Sequence, residues 1–137
     1  MARRETEREG VSVDPEHIAL MNGSMQSVAL AGQALMSAPG DLVITEDYSC
    51  SGTIASYKGT GLELVGIPVD ADGMRVDLLE QRLNTSPVKP KCIYTLPSYQ
   101  NPTGTRMSRQ QRIELIALAA RHDLPIVEGN CYGDVHF

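Results

Sequence analysis

The sequence predicts an α/β domain of three layers, helices on both faces of a mostly parallel sheet. Three observations carry that expectation. Short apolar runs alternate with segments of helical period, as strands joined by crossover helices require. At 137 residues the chain has room for one buried core and not for two. With 42% of its residues apolar and 21% charged, it has the balance of a globular domain rather than a disordered or fibrous chain.

The elements follow in order. Residues 2–9 interleave Arg3, Arg4 and Arg8 with Glu5, Glu7 and Glu9 and stop at Gly10, which is the pattern of a solvated helix. Their mixed sign, within a net charge of −5, argues against nucleic-acid binding through this segment. Residues 17–21 read as a short strand, followed by the turn Asn22-Gly23-Ser24 and a helix over 25–36 that turns Val28, Ala31 and Leu35 inward. After Pro39-Gly40 come a strand at 42–44, a helix over 51–58, a strand over 62–67, a turn at 70–73 and a helix over 76–83. A strand at 92–94 leads into a loop with Pro97 and Pro102, a helix over 108–121 and a strand at 126–127. In that last helix Ser108 and Gln111 have capping-box spacing, and Ile113, Ile116, Ala117 and Ala120 are read as the buried stripe.

Cys50, Cys92 and Cys131 are odd in number and widely spaced, so neither a disulfide framework nor a zinc site is indicated. The start, Met1-Ala2-Arg3-Arg4-Glu5, is charged where a secretory signal needs an apolar core, and no apolar run approaches membrane-spanning length. A soluble, cytoplasmic, single partial domain over 1–137 is the expectation, the stop at Phe137 leaving the sheet unfinished.

Ligands of such sheets bind where strands hand over to helices, and three loops of this kind carry polar groups. Asn22-Gly23-Ser24-Met25-Gln26 sets free amides and a hydroxyl at a helix N-terminus, where an anion such as a phosphate is favoured; taken alone, the turn reads first as a helix cap. Pro97 to Gly104 is a loop stiffened by two prolines, in which Asn101 either reaches a ligand oxygen or satisfies its own backbone. Past the strand at 126–127, the stretch to Asp134 offers Tyr132, for which a buried, satisfied hydroxyl is the commoner explanation.

Taken together, Val13-Asp14-Pro15-Glu16-His17-Ile18, Asn22-Gly23-Ser24, Pro39-Gly40-Asp41, Pro68-Val69-Asp70, Asp72-Gly73-Met74 and Asn101-Pro102-Thr103-Gly104 occur in the order and spacing of a known family. The chain resembles the large domain of fold-type I pyridoxal-phosphate aminotransferases of class I/II. Within them it is most similar to the branch of aminoadipate and kynurenine aminotransferases and the aminotransferase-like domains of MocR-type regulators. The resemblance implies pyridoxal 5'-phosphate as cofactor. Ser24 and the Met25 amide would sit on its phosphate, with Asn101 and Tyr132 on its phenolic oxygen. It also implies a cis Asn101–Pro102 bond, a homodimer, and amino-group transfer from an amino acid to a 2-keto acid.

The same comparison marks departures. Gly129 stands where relatives place the Asp that pairs with the pyridine nitrogen, unless Glu128 or Asn130 shifts into its place. Cys50 stands where an aromatic residue stacks on the ring, or else Tyr48 does that work. The family's Schiff-base lysine lies downstream of the Tyr132 loop, so no catalytic residue is assigned within the chain; Lys58, Lys89 and Lys91 are read as solvated charges, and His17, His122 and His136 share no metal-ligand spacing. The leading expectation is therefore an aminotransferase fragment, inactive alone. Its rivals are a cofactor-sensing domain of a MocR/GntR-type transcription regulator and a non-catalytic gene remnant.

Overall fold

The structure, a computed structural model, describes residues 1–133. Its centre is a four-stranded, wholly parallel sheet in the order β2-β1-β5-β6, with β1 at Leu42–Glu46, β2 at Glu63–Ile67, β5 at Cys92–Thr95 and β6 at Ile126–Glu128. A two-stranded antiparallel ribbon, β3 at Val69–Asp70 and β4 at Gly73–Met74, stands apart from it. The helices are α1 (Ala2–Glu9), α2 (Ser24–Leu35), α3 (Ser51–Gly59), α4 (Val76–Thr85) and α5 (Arg109–Arg121).

Alternation along the strands assigns the layers. In β1 and β5, Val43, Cys92 and Tyr94 face one side with Val28 of α2 and Tyr57 of α3. Ile44 and Ile93 face the other with Leu79 of α4 and Leu115, Leu118 and Ala119 of α5. These two apolar clusters are the core, and the expected three-layer arrangement is what they build. The chain passes from β1 outward to β2 and then back across β1 to β5. Helices change face with that reversal, and loops at the carboxyl ends of β1 and β5 diverge around a crevice.

Two sequence expectations are overturned. Residues 17–21 pair with no strand: Asp14 accepts a 2.9 Å hydrogen bond from the Glu16 amide and, with Pro15 at the first position, starts a 3₁₀ turn over Pro15–His17. The following Leu20 and Met21 are exposed. In α5 the buried stripe is Leu115, Leu118 and Ala119, while Ile113, Ile116, Ala117 and Ala120 face outward. Both stripes have helical spacing, and packing against Leu79 and Ile93 selects the one carrying leucines. The cap of α5 is also one-sided. Ser108 Oγ accepts from the Gln111 amide at 3.3 Å, but the Ser108 amide donates to the Asp72 carbonyl and the Gln111 side-chain oxygen is buried without a partner.

Elsewhere sequence and structure agree closely. α1 ends at a left-handed Gly10 whose amide returns to Thr6, and its charges pair along the exposed surface, Arg3 with Glu7 and Arg8 with Glu5. In α2, Val28 is buried and Ala31 and Leu35 are partly so, with Gly32 the other buried position.

Candidate functional site

A cleft of about 490 Å³ opens at the carboxyl ends of β5 and β6, within the range of small-molecule sites. The residues singled out in the sequence, Ser24, Met25, Asn101 and Tyr132, all line it, although they come from three segments far apart in the chain. Val28, Ala31, Leu96 and Val127 supply its apolar walls.

Ser24 opens α2 directly after Gly23, whose φ of 82° is open to glycine at little cost and turns the chain into the helix. The Ser24 side chain makes no cap hydrogen bond; Asn22 instead donates its amide to Gln26 Oε1 at 2.7 Å. The first-turn amides of α2 thus keep the orientation and partial positive charge that suit an anion. Met25 lies across the first turn of α3, for a Cβ placed on Gly52 would stand 2.8 Å from its Sδ. Two helix N-termini therefore lie side by side at this rim.

Asn101 is held by its neighbour. Gln100, 3% exposed, accepts from the Thr103 amide at 3.0 Å and hydroxyl at 2.7 Å and donates to the Tyr48 carbonyl. From α5, Arg112 donates to the Pro97 carbonyl at 2.7 Å and Ser98 Oγ at 3.1 Å, so the loop is anchored at both ends. The Asn101–Pro102 bond is cis.

Sequence reasoning missed the floor of this site. Tyr94, in the middle of β5, is 3% exposed, packs edge-on to Tyr57 with ring centroids 5.7 Å apart, and accepts a 3.1 Å hydrogen bond from Thr53 Oγ1. Burial holds the Tyr94 phenol above its usual range, partly offset by Thr53. The available signal was strand alternation, since Cys92 and Tyr94 share the face covered by α2 and α3. Glu46, at the end of β1, was also missed; burial raises its pKa despite hydrogen bonds from Thr95 and Leu96.

The departures are placed as well. Gly129 lines the cleft, and a Cβ there would lie 2.7 Å from both the Tyr94 hydroxyl and Leu96 Cδ2. Glu128 and Asn130 line its exposed rim. Of Cys50 and Tyr48, Cys50 lines the cleft; Tyr48 is 69% exposed and is not among the lining residues. No lysine lines it: Lys58 is exposed near the end of α3, Lys89 pairs with Asp123, and Lys91 pairs with Asp41 and Ser37. Among the described residues no group of three His, Cys, Asp or Glu converges to hold a metal, and no helix is long and apolar enough to cross a membrane. His136 and Asp134 lie outside the described residues.

Across residues 1–137 the sequence matches the family described as Aminotransferase class I and II. It is 36% identical over 134 residues to aromatic-amino-acid aminotransferase 1 of Thermococcus litoralis, covering 96% of this chain and 32% of the relative. It is 32% identical to the HTH-type transcriptional regulator YisV of Bacillus subtilis, covering 93% of this chain and 26% of that one. Among solved structures, LysN, the α-aminoadipate aminotransferase of Thermus thermophilus, superposes with a TM-score of 0.84 at 29% identity, covering 94% of this chain and 32% of that one. That crystal structure is complexed with N-(5'-phosphopyridoxyl)-L-leucine. The chain belongs to the class I and II aminotransferase family and spans about a third or less of the length of these relatives.

Proposed function

We propose that this chain supplies one wall of a pyridoxal 5'-phosphate site in an aminotransferase that moves an amino group from an amino acid to a 2-keto acid. The observation that carries it is the convergence of Ser24, Met25, Asn101 and Tyr132 on one cleft of suitable size. The donor set fits such a cofactor at two edges. Amides and a hydroxyl at the start of α2 suit a phosphate, and the Asn101 and Tyr132 side chains suit a phenolic oxygen.

When bound, the cofactor supplies an aldehyde that takes up and returns the amino group and a ring that withdraws electrons. The protein's own part is positional. The α2 amides fix the phosphate without needing a cation, Asn101 presents its amide from a loop locked by Gln100 and Arg112, and Val28, Ala31, Leu96 and Val127 keep water from the ring face. The amine that would anchor the aldehyde belongs, on this reading, to a part of the whole protein other than this chain, since Lys58, Lys89 and Lys91 all lie elsewhere. The chain alone is therefore a binder without turnover. Pairing with a second copy in the cytoplasm completes the proposal, and a solution mass of one chain for the whole protein would count against it.

Equilibrium dialysis of the chain against pyridoxal 5'-phosphate tests the reading. Retention that falls about tenfold in Ser24→Ala and in Asn101→Ala, the size of one lost hydrogen bond to a charged or buried group, supports it. Equal retention by both variants and the original would overturn it.

The likeness to YisV favours a second reading, in which the same cleft senses the cofactor for a transcription regulator. A change in DNA affinity of the whole protein on adding pyridoxal 5'-phosphate, without amino-group transfer, would decide for it.

A further inference from the structure

We propose that Gly129 and Tyr94 act as a pair that gives the floor of the cleft a neutral hydrogen-bond donor, so that it selects an aromatic ring whose nitrogen is unprotonated. This deepens the cofactor reading above and rests on it.

Of the described residues that line the cleft, only Val28, Thr53, Tyr94 and Leu96 are buried, so the polar groups they bring to the floor are two hydroxyls. Thr53 donates to the Tyr94 oxygen at 3.1 Å, which leaves the phenolic proton free to turn toward a ligand; among the described residues nothing accepts it. Burial keeps that phenol protonated at neutral pH, hence a donor. A ring nitrogen with a lone pair satisfies it, whereas a protonated or alkylated nitrogen has no lone pair to offer and would leave a buried donor unpaired.

Among the described residues no carboxylate competes at that depth. Gly129 has no side chain, and the room one would take is filled by the Tyr94 hydroxyl and Leu96, 2.7 Å from where a Cβ would stand. Gly129 is outside the left-handed region, so its backbone does not call for glycine; the approach of Tyr94 does. Among the described residues the other titratable groups nearby are Tyr57 and Cys92, packed with Tyr94 beneath the cleft, Glu46, hydrogen-bonded to Thr95 and Leu96, and Glu128, Cys50, Cys131 and Tyr132 around the cleft. Glu128 is exposed at the mouth, where water screens it.

The test is equilibrium dialysis of the full chain against two probes, pyridoxal 5'-phosphate and its N-methyl derivative, which carries a fixed positive charge and no lone pair. The expected result is tighter retention of pyridoxal 5'-phosphate by about tenfold, from one buried donor satisfied or not. In Tyr94→Phe both probes should still be retained, and alike to within about threefold, whereas an unfolded variant would retain neither. Gly129→Ala should narrow the ratio too, because its Cβ displaces the Tyr94 hydroxyl, and Glu128→Gln should leave the ratio alone. Equal or better retention of the N-methyl probe by the original chain, or a ratio that collapses only in Glu128→Gln, overturns the proposal while the cofactor reading stands. Retention of neither probe sinks both.

Discussion

The carboxylate of Glu46, at the end of β1, accepts a 2.6 Å hydrogen bond from the hydroxyl of Thr95, at the end of β5, and a 2.9 Å bond from the Leu96 amide. It does so at the strand pair where the chain reverses direction, 2% exposed, with its second oxygen unpartnered. Glu46 thereby ties the strand that leads to Cys50 to the strand that leads to Asn101.

Burial raises the pKa of Glu46 from a starting value of 4.5. A carboxyl raised in the fold stabilises it below the unfolded pKa, and that contribution is lost as pH climbs through the raised value. Asp41 and Asp77 shift the other way, through the Ser37 and Ala38 amides and through Arg75 respectively, so the difference between variant and original isolates Glu46. Relative to Glu46→Gln, the urea midpoint of the original should fall as the pH rises above the ordinary carboxyl value of about 4.3. Parallel curves for the two proteins would contradict this.

Gln100 is the next support. Gln100→Ala strips partners from the Thr103 amide and hydroxyl and from the Tyr48 carbonyl, and should cost about 1–3 kcal/mol in urea denaturation. Asn101 is its neighbour, so retention of pyridoxal 5'-phosphate should fall as well, by more than stability alone dictates at a concentration of urea where both proteins are folded. Gln100→Glu keeps the acceptor that Thr103 uses and loses the donor to Tyr48, and should lie between.

The parts of the fold legible in the sequence were those where a local signal and a global one agree. The apolar runs of β1, β2 and β5, each set between turn signals and helical segments, read as strands of a parallel sheet, and the Gly10 and Ser108 caps are local chemistry. Residues 17–21 have strand composition but no neighbouring strand, and pairing is not written in a single segment. In α5 two stripes of equal period competed, and only the shape of Leu79 and Ile93 opposite them decides. The rim of the cleft was legible because Gly, Asn and Pro carry unusual backbone demands. Tyr94 and Glu46 were not, because inside a strand they look like ordinary strand residues until the layers are assembled.

Gly32 provides the sharpest test of that assembly, because two effects of known sign oppose each other there. In the middle of α2, Gly→Ala should gain about 1 kcal/mol of helix propensity. Its new Cβ, however, would stand 2.9 Å from both Leu62 Cδ1 and Tyr57 Cδ1 and 3.0 Å from Tyr57 Cε1. Tyr57 is 0% exposed and its ring is set edge-on against Tyr94 at an interplanar angle of 81°, so it cannot withdraw without moving the floor of the cleft. Overpacking of a fixed core costs about 1–3 kcal/mol against that gain of about 1 kcal/mol, so Gly32→Ala should lower stability by up to about 2 kcal/mol. Shortening the neighbour should relieve it, so in a double-mutant cycle with Leu62→Ala the paired loss should be smaller than the sum of the single losses. A Gly32→Ala protein more stable than the original would mean that α2 stands farther from α3 than these distances place it.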